Sequence, residues 1–240
     1  MISSQLRRWI DRLKRTPLHP QWLLGRQEQL APWLKEHCTG IILDIGSADR
    51  WIEMHFDVNT QYVALDYPET GQDLYQSRPD VFADAASLPF QDDSIDTVLL
   101  LEVLEHIAEP RKALKEIARV LKPGGRVLLT MPFIYPVHDA PFDFQRYTQF
   151  GLERELKAVG FTVDEIENSL SSSCTAGLIV CLAISGAIVQ SIQERSLSII
   201  FVPFFLLLIP ILNISAWLFN IVYPNWANLS AGLQSRAHIG

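Results

Sequence analysis

The sequence predicts an α/β fold on a mainly parallel sheet, with an apolar helical addition near the C-terminus. Three observations predict it. Short apolar runs ending in acids alternate with segments of helical periodicity, Gly- and Pro-bearing turns separate them, and the composition changes abruptly after Glu167. The chain has 240 residues, enough for one α/β domain with a sizeable core and an addition. Residues 1–40 carry net charge +4, residues 41–170 net −12 and residues 171–240 net +1. An acidic middle argues against a nucleic-acid binder, which needs clustered Lys and Arg to neutralise phosphates. Cys38, Cys174 and Cys181 have no metal-ligand spacing and read as thiols of a reducing compartment. No signal-peptide-like apolar stretch follows Arg7 and Arg8, so the catalytic part is expected in the cytoplasm.

Taken in order, Leu6, Trp9, Ile10 and Leu13 lie at helical spacing with Arg7, Arg8, Arg12, Lys14 and Arg15 largely around the other face. Such a basic amphipathic helix, over residues 3–15, either rests on an anionic membrane or packs on the domain. Pro17 and Pro20 end it, and a second helix is expected over Gln27–His37. Strands are expected at Ile41–Ile45, Tyr62–Asp66, Val81–Asp84, Thr97–Leu101, Arg126–Thr130 and Phe161–Glu167, with helices at Arg111–Leu121 and Gln149–Val159. Strands alternating with helices imply parallel crossovers, with ligands at the carboxyl edge of the sheet.

Residues 168–193 and 196–235 carry no Asp, Glu, Lys or Arg. Within them Cys174–Ile192 and Leu197–Tyr223 would span roughly 28 and 40 Å as helices, against a hydrocarbon core of about 30 Å. Gln193–Ser196 would connect them, Pro203 and Pro210 would kink the second, and Gly177, Ser185 and Gly186 would let the two approach closely. A membrane-embedded hairpin, broken helices at the interface and a dimer interface or soluble cap are the three readings of this segment.

The chemistry is carried first by Leu43-Asp44-Ile45-Gly46-Ser47-Ala48, a strand running into a tight turn that glycine makes possible. Alone it is a general nucleotide-binding turn. Asp66 closes the next strand about 20 residues later, where a carboxylate suits a ribose diol. Asp84-Ala85 closes the third, where an acid beside a free amide can read an adenine edge. Leu88-Pro89-Phe90, Asp93-Ser94-Ile95-Asp96, Leu104-Glu105-His106 and Leu121-Lys122-Pro123-Gly124-Gly125 follow.

In order and spacing, residues 41–133 resemble the UbiE-like class I S-adenosylmethionine (SAM) methyltransferases. The resemblance implies a Rossmann-like seven-stranded sheet whose last strand, Leu229–Ile239, is antiparallel, with residues 170–224 inserted before it. It implies that Asp44, Gly46, Ser47 and Ala48 line the methionine end of SAM, that Asp66 and Tyr67 hold the ribose, that Asp84 and Ala85 meet the adenine, and that Leu101 and Glu102 face the sulfonium. Ala48 stands where the family usually has a second glycine, and its methyl could narrow the site. A dinucleotide oxidoreductase fits less well, because Asp49-Arg50-Trp51 crowd the turn where a pyrophosphate needs room.

The segment Pro132–Thr148 leaves the carboxyl edge after the fifth strand. His138 is the candidate base for a substrate hydroxyl, with Asp139 or Asp143 orienting it; the alternative is a loop whose polar groups pin its own backbone. His-Asp-Ala-Pro-Phe-Asp-Phe-Gln-Arg-Tyr-Thr also resembles bacterial methyltransferases associated with cell-surface glycan or lipid biosynthesis. Glu102, Glu105 and His106, three and four apart, would share one helical face and could hold a divalent metal. Leu-Glu-His is nonetheless ordinary for the family without metal, and no metal is expected.

These observations predict a membrane-associated methyltransferase with a cytoplasmic catalytic domain. Its expected reaction is O-methylation of a membrane-associated or lipid-linked acceptor with SAM, with no nucleic-acid partner. A catalytically weak binding module and a methyltransferase of a soluble metabolite are the alternatives.

Overall fold

The computed structural model describes residues 13–57, 60–72 and 77–240. All but the last residues of the expected basic helix lie outside the described residues. The chain forms two compact units: one of Glu28–Phe133, Val137–Ser169 and Gly232–Gly240, the other of the described residues up to Gln27 with Ile134–Pro136 and Leu170–Ala231.

The first unit is a seven-stranded sheet of β1 (Ile42–Ile45), β2 (Tyr62–Asp66), β3 (Val81–Phe82), β4 (Ile95–Leu101), β5 (Leu121–Pro132), β6 (Phe161–Asn168) and β7 (Gly232–Ile239). Their order is β3-β2-β1-β4-β5-β7-β6. β7 runs antiparallel to both its neighbours, and the other pairings are parallel. Both sheet faces are covered, which is why β1 is apolar but for Asp44 and β4 is apolar from Val98 onward. Leu43, Ile45, Val98, Leu100, Val127 and Leu129 pack with Leu114 and Ile117 of α2 (Pro110–Val120) and Leu152 and Leu156 of α3 (Gln149–Ala158). On the opposite face Ile42, Leu99 and Leu128 pack with Leu34 of α1 (Arg26–His37).

β5 begins five residues earlier than expected. Ile95 pairs with Leu121 and Thr97 with Arg126, so Lys122–Gly125 bulge out opposite Asp96. Both carboxylate oxygens of Asp96 take the Lys122 ammonium, at 2.9 and 2.8 Å, which ties that bulge to the sheet.

The sheet's carboxyl edge receives both ends of the insertion. Asn168 pairs with Leu233, and Pro132 with Gly232. The chain therefore leaves β6 and re-enters β7 at the edge where β5 ends.

In the second unit α4 (Ser172–Gln193) and α5 (Val202–Val222) are joined through a 3₁₀ turn at Leu197–Phe201. Ser172–Gln193 and Leu197–Val222 are each long and apolar enough to cross a bilayer, by length and composition. Phe204, Leu207, Ile211, Ile221 and Val222 present exposed side chains. The two helices meet at Gly177, where an added Cβ would lie 2.5 Å from that of Ala216. Gly186, expected to serve the same contact, has nothing within 4 Å of such a Cβ. Pro203 sits in the first turn of α5, which needs no amide there, while Pro210 lies inside the helix. Asn213, fully buried on α5, donates to the carbonyls of Pro17 (2.7 Å) and His19 (2.9 Å) and anchors that segment.

Candidate active site

At the carboxyl ends of β1, β2 and β3 lies a cavity of about 330 Å³ lined by Gly46, Ala48, Asp66, Tyr67, Asp84 and Ala85, among others. β1 turns sharply at Gly46, whose amide donates to Leu65 O (2.8 Å) at a φ of +76°. A Cβ on Gly46 would lie 2.3 Å from Val103 Cγ2, so both backbone conformation and space require glycine here. We expect Gly46→Ala to cost at least about 2 kcal/mol in chemical denaturation. Ala48 already occupies left-handed backbone at φ +43°. Ala48→Gly is therefore expected to change stability by less than about 1 kcal/mol in the same measurement. Equal costs for the two substitutions would contradict this view of the turn.

Asp66 is buried at the end of β2. Its Oδ1 accepts from the Tyr67 amide (2.9 Å), while its Oδ2 has no hydrogen-bond partner among the described residues. A buried carboxylate oxygen left in this state is costly unless a ligand supplies a donor. Asp84 is exposed at the cavity and holds its own turn, accepting from the Ala86 amide at 2.8 Å. Ile107, Phe142 and Phe144 add apolar side chains to the cavity lining.

Four expected donor-site residues do not line this cavity. Asp44 is buried in β1, where its Oδ2 accepts from the Tyr62 hydroxyl of the neighbouring strand. Burial pushes its carboxyl up to about 7, against the Tyr62 bond, and the nearby Asp66 adds to the rise. Ser47 is also buried. Leu101 and Glu102 stand at the end of β4 and do not line the cavity, whereas Val103 and His106–Glu109 of the following segment do.

The segment after β5 folds back onto the turn that follows β4. The Phe144 amide donates to Glu105 O (2.9 Å), and Gln145 Nε2 donates to Leu104 O and to Ile107 O. Asp139 and His106 line the cavity and His138 does not. Of the two acids considered to orient His138, Asp143 is the one beside it, with Oδ2 3.3 Å from Nδ1. Asp143 is clamped by the Arg146 guanidinium, which holds its carboxyl down to about 2. The Asp139 carboxylate instead approaches His106 Nε2, at 3.9 Å.

The helical face expected for Glu102, Glu105 and His106 does not form. Glu102 takes a φ of +58°, and only Leu104–His106 make a 3₁₀ turn. Glu105 and His106 meet His138 instead. Spacing within one segment carried no signal for this long-range contact. Phe142 and Phe144 were likewise legible only as neighbours of Asp143.

Residues 43–129 match the methyltransferase domain family. A demethylmenaquinone methyltransferase of Paenarthrobacter aurescens is 36% identical over 118 residues, 46% of this chain and 44% of that one. A probable SAM-dependent methyltransferase of Mycolicibacterium smegmatis is 28% identical over 186 residues, 72% of this chain and 71% of that one. The chain spans less than half the length of the demethylmenaquinone methyltransferases it matches. Among solved structures, the [4+2]-cyclase SpnF superposes with a TM-score of 0.54 at 19% identity, covering 89% of this chain and 81% of that one. That likeness concerns the fold.

Proposed function

We propose that this chain, whose residues 43–129 belong to the methyltransferase domain family, is a class I SAM-dependent methyltransferase acting on a hydroxyl of a membrane-held acceptor. The unsatisfied Oδ2 of Asp66 carries the donor half of the reading, because a ribose diol offers the hydroxyl donors that a buried carboxylate lacks. Asp84 and the Ala85 amide would take the adenine, and Gly46 gives the donor's tail close approach to the backbone. When bound, SAM supplies an electrophilic methyl group.

The chain's own residues do the rest. Gln145 fixes the loop that brings Phe142 and Phe144 to the cavity, where their rings add apolar lining. Asp139, which lines the cavity, receives the acceptor proton. Rate comes chiefly from holding the hydroxyl oxygen in line with the methyl. SpnF, a cyclase on this fold, illustrates why the reaction is argued from the site rather than from the fold.

The acceptor half rests on the apolar hairpin. α4 and Leu197–Val222 are each long enough to cross a bilayer, and much of their apolar surface is exposed. A hairpin of two spans returns the chain to the side it left, which keeps the catalytic unit cytoplasmic. A second reading, methylation of a quinone-class acceptor, is favoured by the demethylmenaquinone methyltransferases among the relatives.

The test is incubation of the full chain with methyl-labelled SAM and a membrane lipid extract. The label is expected in the organic phase, as a methyl ether. Label confined to water-soluble products would overturn the lipid acceptor, and a carbon-bound methyl on a quinone would favour the second reading.

A further inference from the structure

We infer that Glu105, His106 and His138 form a binding site for one first-row divalent cation, beside the donor cavity. The inference rests on the methyltransferase reading for its purpose, not for its geometry.

One ligand atom from each of the three residues lies within 4.8 Å of the others. Glu105 Oε1 is 3.7 Å from His106 Nε2 and 3.9 Å from His138 Nε2. Ligand atoms held about 2.0–2.2 Å from a common ion sit roughly 3–3.5 Å apart, so an ion would draw Glu105 toward each imidazole by less than about 1 Å and the imidazole nitrogens, within 4.8 Å of each other, by up to roughly 1–2 Å. Glu105 is fully buried, and the imidazoles are edge-to-face with centroids 4.9 Å apart.

The outer contacts make the cluster more than a coincidence of polar groups. His106 Nδ1 is 2.9 Å from the carbonyl of Phe142, which can only accept, so Nδ1 carries the proton and Nε2 presents its lone pair toward Glu105. His138 repeats the arrangement. Its Nδ1 faces Asp143 Oδ2 at 3.3 Å and its Nε2 faces Glu105. Arg146 and the His138 amide in turn fix Asp143. A carbonyl or carboxylate behind each Nδ1, with both Nε2 atoms converging, is how proteins orient histidines toward a metal. The Arg146 charge, which would oppose a cation, is paired with Asp143. Two imidazoles and a carboxylate suit Mn²⁺, Fe²⁺ or Zn²⁺ better than Mg²⁺.

The ion's remaining positions would take acceptor oxygens, since His106 and Asp139 both line the cavity. It would lower the pKa of the acceptor hydroxyl. The proton passes to Asp139, the oxygen–carbon bond forms as the carbon–sulfur bond breaks, and the donor leaves as a neutral thioether. His138 is then a ligand rather than the base.

The experiment uses the full chain, chelator-treated, with Mn²⁺ titration read by electron paramagnetic resonance and S-adenosylhomocysteine binding measured on the same samples. One saturable Mn²⁺ per chain, displaced by Zn²⁺, is expected. Glu105→Gln should weaken it at least 10-fold. Asp143→Asn, which removes a contact behind His138 and no ligand, should weaken it by roughly 10- to 100-fold. S-Adenosylhomocysteine binding retained in both variants shows that they are folded. No saturable Mn²⁺ or Zn²⁺ on protein that binds S-adenosylhomocysteine overturns the metal site alone, as does binding unchanged by Glu105→Gln. Metal binding without S-adenosylhomocysteine binding supports the site and overturns the donor reading.

Discussion

Replacing Asp66 with asparagine is expected to weaken S-adenosylhomocysteine binding by roughly 30- to 300-fold, the loss of one or two charge-assisted hydrogen bonds. The effect is large because Asp66 is buried at the cavity and its Oδ2 has no hydrogen-bond partner among the described residues. The amide keeps the size of the carboxylate, and its oxygen can still accept from the Tyr67 amide as Oδ1 does now. Its NH₂ group, however, meets the ribose hydroxyls as a donor where an acceptor is needed. Calorimetric titration of the wild type and Asp66→Asn measures the ratio directly. A Kd within threefold of wild type would mean that the ribose does not sit on Asp66.

Asp44→Asn is expected to raise the melting temperature at pH 8 by roughly 5–15 °C and to change it little near pH 4. Burial raises the Asp44 carboxyl from its ordinary 3.8 to about 7. The folded chain therefore holds this proton over a pH range where the unfolded chain has lost it. Stability falls as pH rises between those two values, and the penalty is fully present above the higher one, of order 3–4 kcal/mol. Asparagine carries no such penalty and can still accept from the Tyr62 hydroxyl that Asp44 binds now. At 2–4 °C per kcal/mol for a unit of this size, the stated shift follows. A gain of equal size at pH 4 and pH 8 would contradict this origin.

Much of the fold was legible because its signals are local. β2 runs from Tyr62 to Asp66 as expected, and α3 ends one residue early. The two long runs after Glu167 were legible as helices because they carry no Asp, Glu, Lys or Arg and are long and apolar throughout. β5 begins before the apolar run at Arg126, although Lys122-Pro123-Gly124-Gly125 has the composition of a turn. The Asp96–Lys122 pair that ties this bulge to the sheet joins different strands and leaves no local trace.

The site was legible in the same uneven way. Gly46, Ala48, Asp66, Tyr67, Asp84 and Ala85 follow strand ends and meet at one cavity. Asp44 does not reach it, because its side chain bonds Tyr62 on the adjacent strand. The spacing of Glu102, Glu105 and His106 suggested a helical face, but the backbone reverses hand at Glu102 and lets His138, 36 residues from Glu102 by their numbers, complete the cluster. Convergence of that kind depends on how one loop folds over another turn. Period and spacing say nothing about it.

The most direct test is a crystal structure of the full chain with S-adenosylhomocysteine. The ribose hydroxyls are predicted to lie within hydrogen-bond distance of both Asp66 carboxylate oxygens, with the adenine edge against Asp84 and the Ala85 amide. A nucleoside bound elsewhere, or Asp66 turned away from it, would contradict the account.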